Sequence, residues 1–336
     1  REMMRKLKLL IVDEASMVRA DVWDAMDRKL RVNREDSRPF GGVPVLAIGD
    51  LLQLDPVVST EDEKQLIHEL FGDEPGMYGS HALRQAGWQA VALQRQHRQT
   101  DGSDLAKNLN LVRRGDGIGL AYFRRFVSRS RPHKYDVILV TTNALADAIN
   151  AGYVERLPPG HMFFAQKSGD MRMKYGEKLP VPERIEIRPG MRAMIRKNLP
   201  GLPNGTLGRV LEVRPHLVKL LTDDGREAAI GTESWDQLQH EWSGSQIRTR
   251  KVGEYRQIPL VPAYACTVHK SQGLGLQHVY VDLRASRWFD GQAYVALSRA
   301  ISPEGLRVRG ELEDRHIRRS EESLRRDARI PMAREA

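Results

Sequence analysis

Cysteine is nearly absent from this chain. Cys266 is the only one, so no internal disulfide can form, and a reducing, cytoplasmic setting is expected. Aromatic residues make up 6%, too few for broad base-stacking platforms, although one or two stacking residues fit within that number. No apolar run reaches the roughly 20 residues that a spanning helix needs, so a membrane partner is not expected. No GxxxxGK[ST] occurs anywhere, so the residues given lack the backbone cradle that holds phosphates in P-loop enzymes. The first residue is Arg1 rather than methionine, as expected of a sequence that begins inside a longer reading frame or has been trimmed. Internal repeats and low-complexity tracts are also missing.

What is present is length and positive charge. The 336 residues suit two or three domains with ample core. Lys and Arg number 53 against 44 Asp and Glu, and the net charge of +9 suits a polyanion partner such as nucleic acid.

The hydrophobic pattern is α/β. "LKLLIVDE" is a continuous apolar run of strand length, read as a buried parallel strand. A helix follows, with Val18, Val22, Met26 and Leu30 at helical spacing, and then a second apolar strand, Val43 to Ile48, ending in Gly49-Asp50. Val137 to Val140 and the residues after them repeat the strand-helix pattern, and "HVYVDL" is a further short buried strand. Residues 185–257 differ. They are rich in Gly and Pro, "NGTLGRVLEV" turns into a strand, and "LVKLLTDDGREAAI" reads as a hairpin turning at Asp224-Gly225. A small β-barrel inserted into an α/β domain is expected there. The tail, 311–336, mixes acidic and basic residues with little periodic apolar content, and reads as a solvated helix or frayed end.

Several stretches carry chemistry. Asp13 and Glu14 stand at the end of a parallel strand, where α/β sheets bind ligands. One carboxylate there can hold Mg²⁺ through water while the other orients or deprotonates an attacking water. Gln53, just past the next strand, can hydrogen-bond a γ-phosphate or simply face water. Arg95, Arg98 and Arg299 can neutralise a transferred phosphoryl group or be surface arginines. "ACTVHKSQG" offers two hydroxyls, an imidazole, an ammonium and an amide before a glycine. It suits phosphate contacts and a solvated polar turn about equally.

In order, "IVDEASMV", "PFGG", "GDLLQLDPV", "LQRQHRQ", "TTNALADAIN", "LPNGTLGRV", "VPAYACTVHKSQG" and "AYVALSRA" resemble the motifs of superfamily-1 DNA helicases. The resemblance is closest to the 5′→3′ branch of PIF-type and RecD-like helicases and spans roughly residues 8 to 310. It implies RecA-like P-loop NTPase motor domains, ATP bound in the cleft between them, Mg²⁺ as cofactor and single-stranded DNA as partner, in a cytoplasmic, nucleoid-associated setting. Asp13 would then hold the metal, Glu14 would be the catalytic base, and Gln53 would sense the γ-phosphate. Arg98 and Arg299 would be arginine fingers, with Lys270, Gln272 and Gly273 near the nucleotide. Thr267 and His269 would touch the DNA backbone, with Asn143 as a companion.

The implied domains are an incomplete first motor domain over 1–97, a second over 98–184 and 258–310, an SH3-like insertion over 185–257, and the tail. Asp55 stands where the family often has proline, and Gly275 where a threonine is common. Without a phosphate-binding loop, the chain is expected to be the C-terminal portion of such a helicase and inactive alone. The same motor could serve a recombination nuclease or a conjugative relaxase. A non-hydrolysing nucleic-acid-binding module is the rival from another class. The sequence implies no oligomeric state.

Overall fold

A computed structural model describes the chain except Arg1, Ser59, Gln94, Tyr135, residues 171–178, 244–245 and 285–287, Ser320, and residues 331–336. The chain divides into two compact units. One comprises residues 1–131, 275–277 and 281–336, the other 132–274 and 278–280. The expected domain boundaries subdivide it at other points.

In the first unit the opening apolar run forms the strand Leu10–Val12, paired in parallel with Val45–Ala47. The helix Ala20–Arg34 connects them. The strand was expected to be buried on both faces, but only one face is covered. Leu10, Val12, Val45 and Ala47 pack toward a core containing Trp23, Leu30 and Phe40. Ile11, at 57% exposure, and its neighbours Leu9, Leu46 and Ile48 face solvent.

Leu30 lies in the core with Val18 and Met26 packed against it, as the spacing predicts, but Val22 does not. Trp23, Asp27 and Leu30 are buried, whereas Val22 is exposed. The cause is the "PFGG" turn, Pro39–Gly42. Phe40 meets Trp23 edge-on at 6.4 Å between ring centres. Its backbone N–H donates to Asp27 Oδ1 at 2.5 Å, and Arg31 Nε donates to the same oxygen at 2.9 Å, so the buried carboxylate is satisfied.

The tail differs from its expectation too. It contains a helix, Glu321–Arg329, and that helix is held to the unit rather than solvated all round. Arg326 pairs with Glu74, and Asp327 with Arg113. Its anchors are ionic, so apolar periodicity could not reveal them.

In the second unit Val137–Val140 lies parallel to Ala265–Thr267. The helix Asn143–Val154 follows the first of these strands. Its Asn150 accepts from the N–H groups of Tyr264 and Ala265 and donates to Ala265 O, all at 2.8–2.9 Å. That clamp sets the entry to the polar turn after Thr267.

The Gly- and Pro-rich region is antiparallel. Five strands run in the order Glu227–Gly231, Leu217–Thr222, Leu207–Arg214, Arg192–Ile195 and Leu260–Pro262. The hairpin turns at Asp224-Gly225, where Gly225 has φ +86°. Alternate residues of these strands, among them Ile195, Val210, Val218, Leu220 and Leu260, fill one apolar core. Pairing extends beyond 185–257: Gln166–Gly169 pairs with Gln246–Gln257, and His161–Phe164 with Arg184–Ile187.

Candidate active site

The end of the first strand is latched to the second. Ile48 N–H donates to Val12 O, and Ala15 N–H donates to Ile48 O, both at 2.8 Å. A side chain at Gly49 would come within 3.1 Å of the Ala15 and Ser16 nitrogens, so this close approach favours glycine. Between the latches stand Asp13 and Glu14. Asp13 is exposed, and its Oδ1 accepts from Glu14 N–H at 2.9 Å. Glu14 is half-buried with φ +49° and ψ +41°. A non-glycine residue in that left-handed region costs about 1–3 kcal/mol, and such strain collects at functional sites.

Asp50 closes the second strand and gathers the loop that follows. Its carboxylate accepts from Leu52 N–H at 3.0 Å and from Gln53 Nε2 at 3.2 Å. Arg113 grips it through Nε and Nη2 at 2.6–3.1 Å. Burial works against the Asp50 charge, but Arg113 and these donors outweigh it, and its pKa lies below the ordinary carboxylate value. Gln53 is fixed from the other side by Gly291, which has φ +81°. A Cβ at Gly291 would lie 1.8 Å from Gln53 O, so no other residue fits there.

Gly291 caps the helix Gln292–Ser298, which leads directly into Arg299. Arg299 is 1% exposed, a rare position for a guanidinium. Its Nε donates to Val295 O and its Nη2 to Ser298 Oγ, both at 2.9 Å. Gln99, the neighbour of Arg98 in the chain, donates through Nε2 to Ser298 O at 3.0 Å and Ala300 O at 2.7 Å, and Arg98 lies within electrostatic reach of Arg299. Burial and then the charge of Arg98 pull the Arg299 pKa down to about 10, while Tyr294, Glu14 and Asp50 act in the opposite direction. Arg299 therefore keeps its charge at neutral pH. Two like charges within electrostatic reach of each other and of Glu14 suit an anion with several charges.

The second unit carries the other candidate residues. Thr267 ends its strand buried, and its Oγ1 accepts from Lys270 N–H at 3.3 Å. Ser271 Oγ donates to Val268 O at 2.7 Å, which closes the short turn His269–Ser271. Lys270 and Gly273 are exposed, Gln272 is half-buried, and Gly273 has φ +80°. Burial lowers the pKa of half-buried His269, so its imidazole is neutral at neutral pH. Cys266, in the same strand as Thr267, has its thiol pushed up to about 12 by burial. Asn143 is exposed in the first turn of its helix, one residue past the Thr142 cap.

Asp13, Glu14, Gln53, Arg98 and Arg299 thus share the first unit, and Asn143, Thr267, His269, Lys270, Gln272 and Gly273 the second. Arg95, the remaining candidate arginine, is exposed. Sequence reasoning passed over Asp50, Arg113, Gln99 and Gly291. Asp50 was visible only as a strand end, and Arg113 lies 63 residues from the carboxylate it grips. Among the described residues, no three His, Cys, Asp or Glu side chains cluster to hold a metal. A lone exposed carboxylate such as Asp13 fits Mg²⁺, which keeps most of its waters and takes one or two protein oxygens.

Comparison with known proteins finds similarity to PIF1-like helicases. The profile of the PIF1-like helicases matches residues 1–108. An ATP-dependent DNA helicase PIF1 from Xenopus laevis is 31% identical over 320 residues, covering 90% of this chain and 46% of that protein. The chain therefore spans about half the length of the curated relatives it matches. A Bacteroides Pif1 solved in complex with ADP-AlF4 superposes with a TM-score of 0.81 at 28% identity, over 97% of this chain and 76% of that one. A Bacteroides Pif1 bound to ssDNA gives 0.72 at the same identity and coverage. The α/β fold is the RecA-like one these neighbours share.

Proposed function

We propose that this chain, similar to the PIF1-like helicases over residues 1–108 and to a PIF1 helicase over 90% of its length, is the motor portion of an ATP-dependent 5′→3′ DNA helicase that translocates on single-stranded DNA. The observation that carries the reading is the convergence in one unit of Glu14, Arg98 and Arg299. A binding module has no need of two guanidiniums within electrostatic reach of each other and of a strained carboxylate. Phosphoryl transfer needs both.

On this reading Glu14 orients and deprotonates the attacking water, and Asp13 takes Mg²⁺ through water. The metal, when bound, neutralises phosphate charge. Gln53 hydrogen-bonds the γ-phosphate, and Arg98 and Arg299 balance the charge that develops on it. Lys270, Gln272 and Gly273 serve the nucleotide. Thr267, His269 and Asn143 contact the DNA backbone, where neutral hydrogen-bonding groups can track a strand without reading its sequence. The domain assignment follows the same reading, with the first motor domain over 1–97, the second over 98–184 and 258–310, and an SH3-like insertion over 185–257. The antiparallel hairpins of 207–231 support that insertion. The first motor domain is incomplete within residues 1–336. A phosphate-binding loop has to be added for turnover, so residues 1–336 alone are expected to lack appreciable ATPase activity.

The test is ATP hydrolysis by the full-length protein with and without single-stranded DNA, together with strand displacement on duplexes carrying a 5′ or a 3′ tail. DNA-stimulated hydrolysis and displacement from the 5′ tail are expected. Absence of hydrolysis would overturn the motor reading, and displacement from the 3′ tail alone would overturn the polarity.

A further inference from the structure

Gln53 is held by a chain of charged contacts that ends in the tail helix. Its Nε2 donates to Asp50 Oδ2. Arg113, the last residue of the helix Asp104–Arg113, donates to both oxygens of Asp50. The same guanidinium donates through Nη1 and Nη2 to the two oxygens of Asp327, at 2.9 and 2.6 Å. The side chains of Asp50, Arg113 and Asp327 are each 19% exposed. The tail helix is anchored independently through Arg326, which pairs with Glu74 and lies 4.3 Å from the centre of the Tyr78 ring. Arg319 completes the group, its Nε donating to Arg113 O at 2.9 Å.

We infer that Asp327 is a positioning residue for Gln53, acting through Arg113 and Asp50. The inference rests on the reading of Gln53 as the residue that meets the γ-phosphate. A glutamine amide has a donor end and an acceptor end, and which end faces a ligand depends on its fixed partner. Asp50 is an acceptor while ionised, so it draws the NH₂ group toward itself and leaves the amide oxygen and the second N–H for the ligand. Arg113 keeps Asp50 ionised and oriented, and its planar fork is itself fixed only when both edges are occupied. Asp327 occupies the second edge. A segment outside the motifs therefore reaches the sensor through a single guanidinium.

The experiment uses full-length protein carrying Asp327→Asn, Asp327→Glu, Gln53→Ala and the double variant Gln53→Ala with Asp327→Asn. Loss of one charge-assisted contact predicts a fall of about fivefold in DNA-stimulated kcat for Asp327→Asn, with KM for ATP within about twofold. Asp327→Glu should recover most of that loss. In the Gln53→Ala background Asp327→Asn should cost nothing further, since the residue being positioned is gone. An equal loss in both backgrounds, or no loss in either, overturns the inference.

Amide hydrogen exchange gives a second readout that does not depend on turnover. In Asp327→Asn the Leu52 amide, held by Asp50 Oδ1, should exchange about tenfold faster, and the Leu109 and Val112 amides should not change. Unchanged exchange at Leu52, or faster exchange throughout the unit, overturns it. Should the wild-type protein hydrolyse no ATP, the motor reading fails, and the exchange result alone decides whether Asp327 positions the Gln53 loop.

Discussion

The residues around Glu14 and those around Thr267 are held in place by opposite means. In the first unit the fixing contacts join distant parts of the chain: Gln99 to Ser298, Arg113 to Asp50 and Asp327, and Arg326 to Glu74. In the second unit the polar turn is closed largely by its nearest neighbours, Thr267 to Lys270 and Ser271 to Val268, while Asn150 and Val140 tie only its entry to distant chain. The first arrangement spends burial and strain on fixed charge positions. The second leaves Lys270 and Gly273 exposed on a short turn. Hydrolysis needs charges fixed in advance, whereas contact with a repeating backbone tolerates a locally closed loop.

Substitutions can break or sharpen this contrast, and the largest effect should come from the buried guanidinium. Arg299→Ala in the full-length protein is expected to lower kcat about 10³-fold, the order seen for arginine fingers. Arg299→Lys should restore only part of it, because an ammonium cannot reproduce the fork. A fall below tenfold would reduce Arg299 to a structural cation.

Glu14→Gln should lower turnover about 10²-fold or more while nucleotide binding, followed by a fluorescent analogue, persists. Unchanged turnover would remove Glu14 as the base. Gly291→Ala probes the same loop sterically. The clash with Gln53 O and the φ of +81° should lower stability by about 1–3 kcal/mol in denaturant titration. A neutral result would mean that the Gln53 loop can move away.

Acid should act on the first unit through Asp50. Its folded pKa is lowered, so its contribution to stability is present above the unfolded value of about 3.9 and is lost as pH falls through the lower folded value. The stability gap between wild type and Asp50→Asn, measured by denaturant titration, should therefore be constant near neutral pH and close only below about pH 4. A gap that closes near neutral pH would contradict the Arg113 pairing. The smallest effect should be in the second unit. His269→Ala should weaken single-stranded DNA binding a few-fold, roughly 0.5–1.5 kcal/mol, without changing its salt dependence, because a neutral imidazole displaces no counterion. A shallower salt slope would show that His269 binds as a cation.

Local features were legible in advance. The strand ending in Asp13-Glu14, the strand Val137–Val140 and the hairpin at Asp224-Gly225 all stand where pattern and turn chemistry put them. Features that depend on what packs opposite were not. Val22 has helical spacing, yet Trp23 and Asp27 turn inward because Phe40 arrives from outside the helix. Ile11 sits in an apolar run, yet it faces solvent because the core lies on the other side of its strand. The tail has no apolar stripe, yet it docks through Arg326 and Asp327.

By itself the sequence determined the order of its motifs, the carboxylates at the strand end, the glycines that turn hairpins and hence the likeness to PIF1-like helicases. Each of these is written in neighbouring residues, whose backbone preferences act locally. Only the tertiary structure decided that Arg98 comes within electrostatic reach of Arg299, that Gly291 closely approaches Gln53, and that Asp50, Arg113 and Asp327 form one network. A guanidinium pairs with any carboxylate within reach. Among 53 basic and 44 acidic residues no periodicity says which ones meet. The fold selects those pairs by bringing the ends of distant helices and strands to one place.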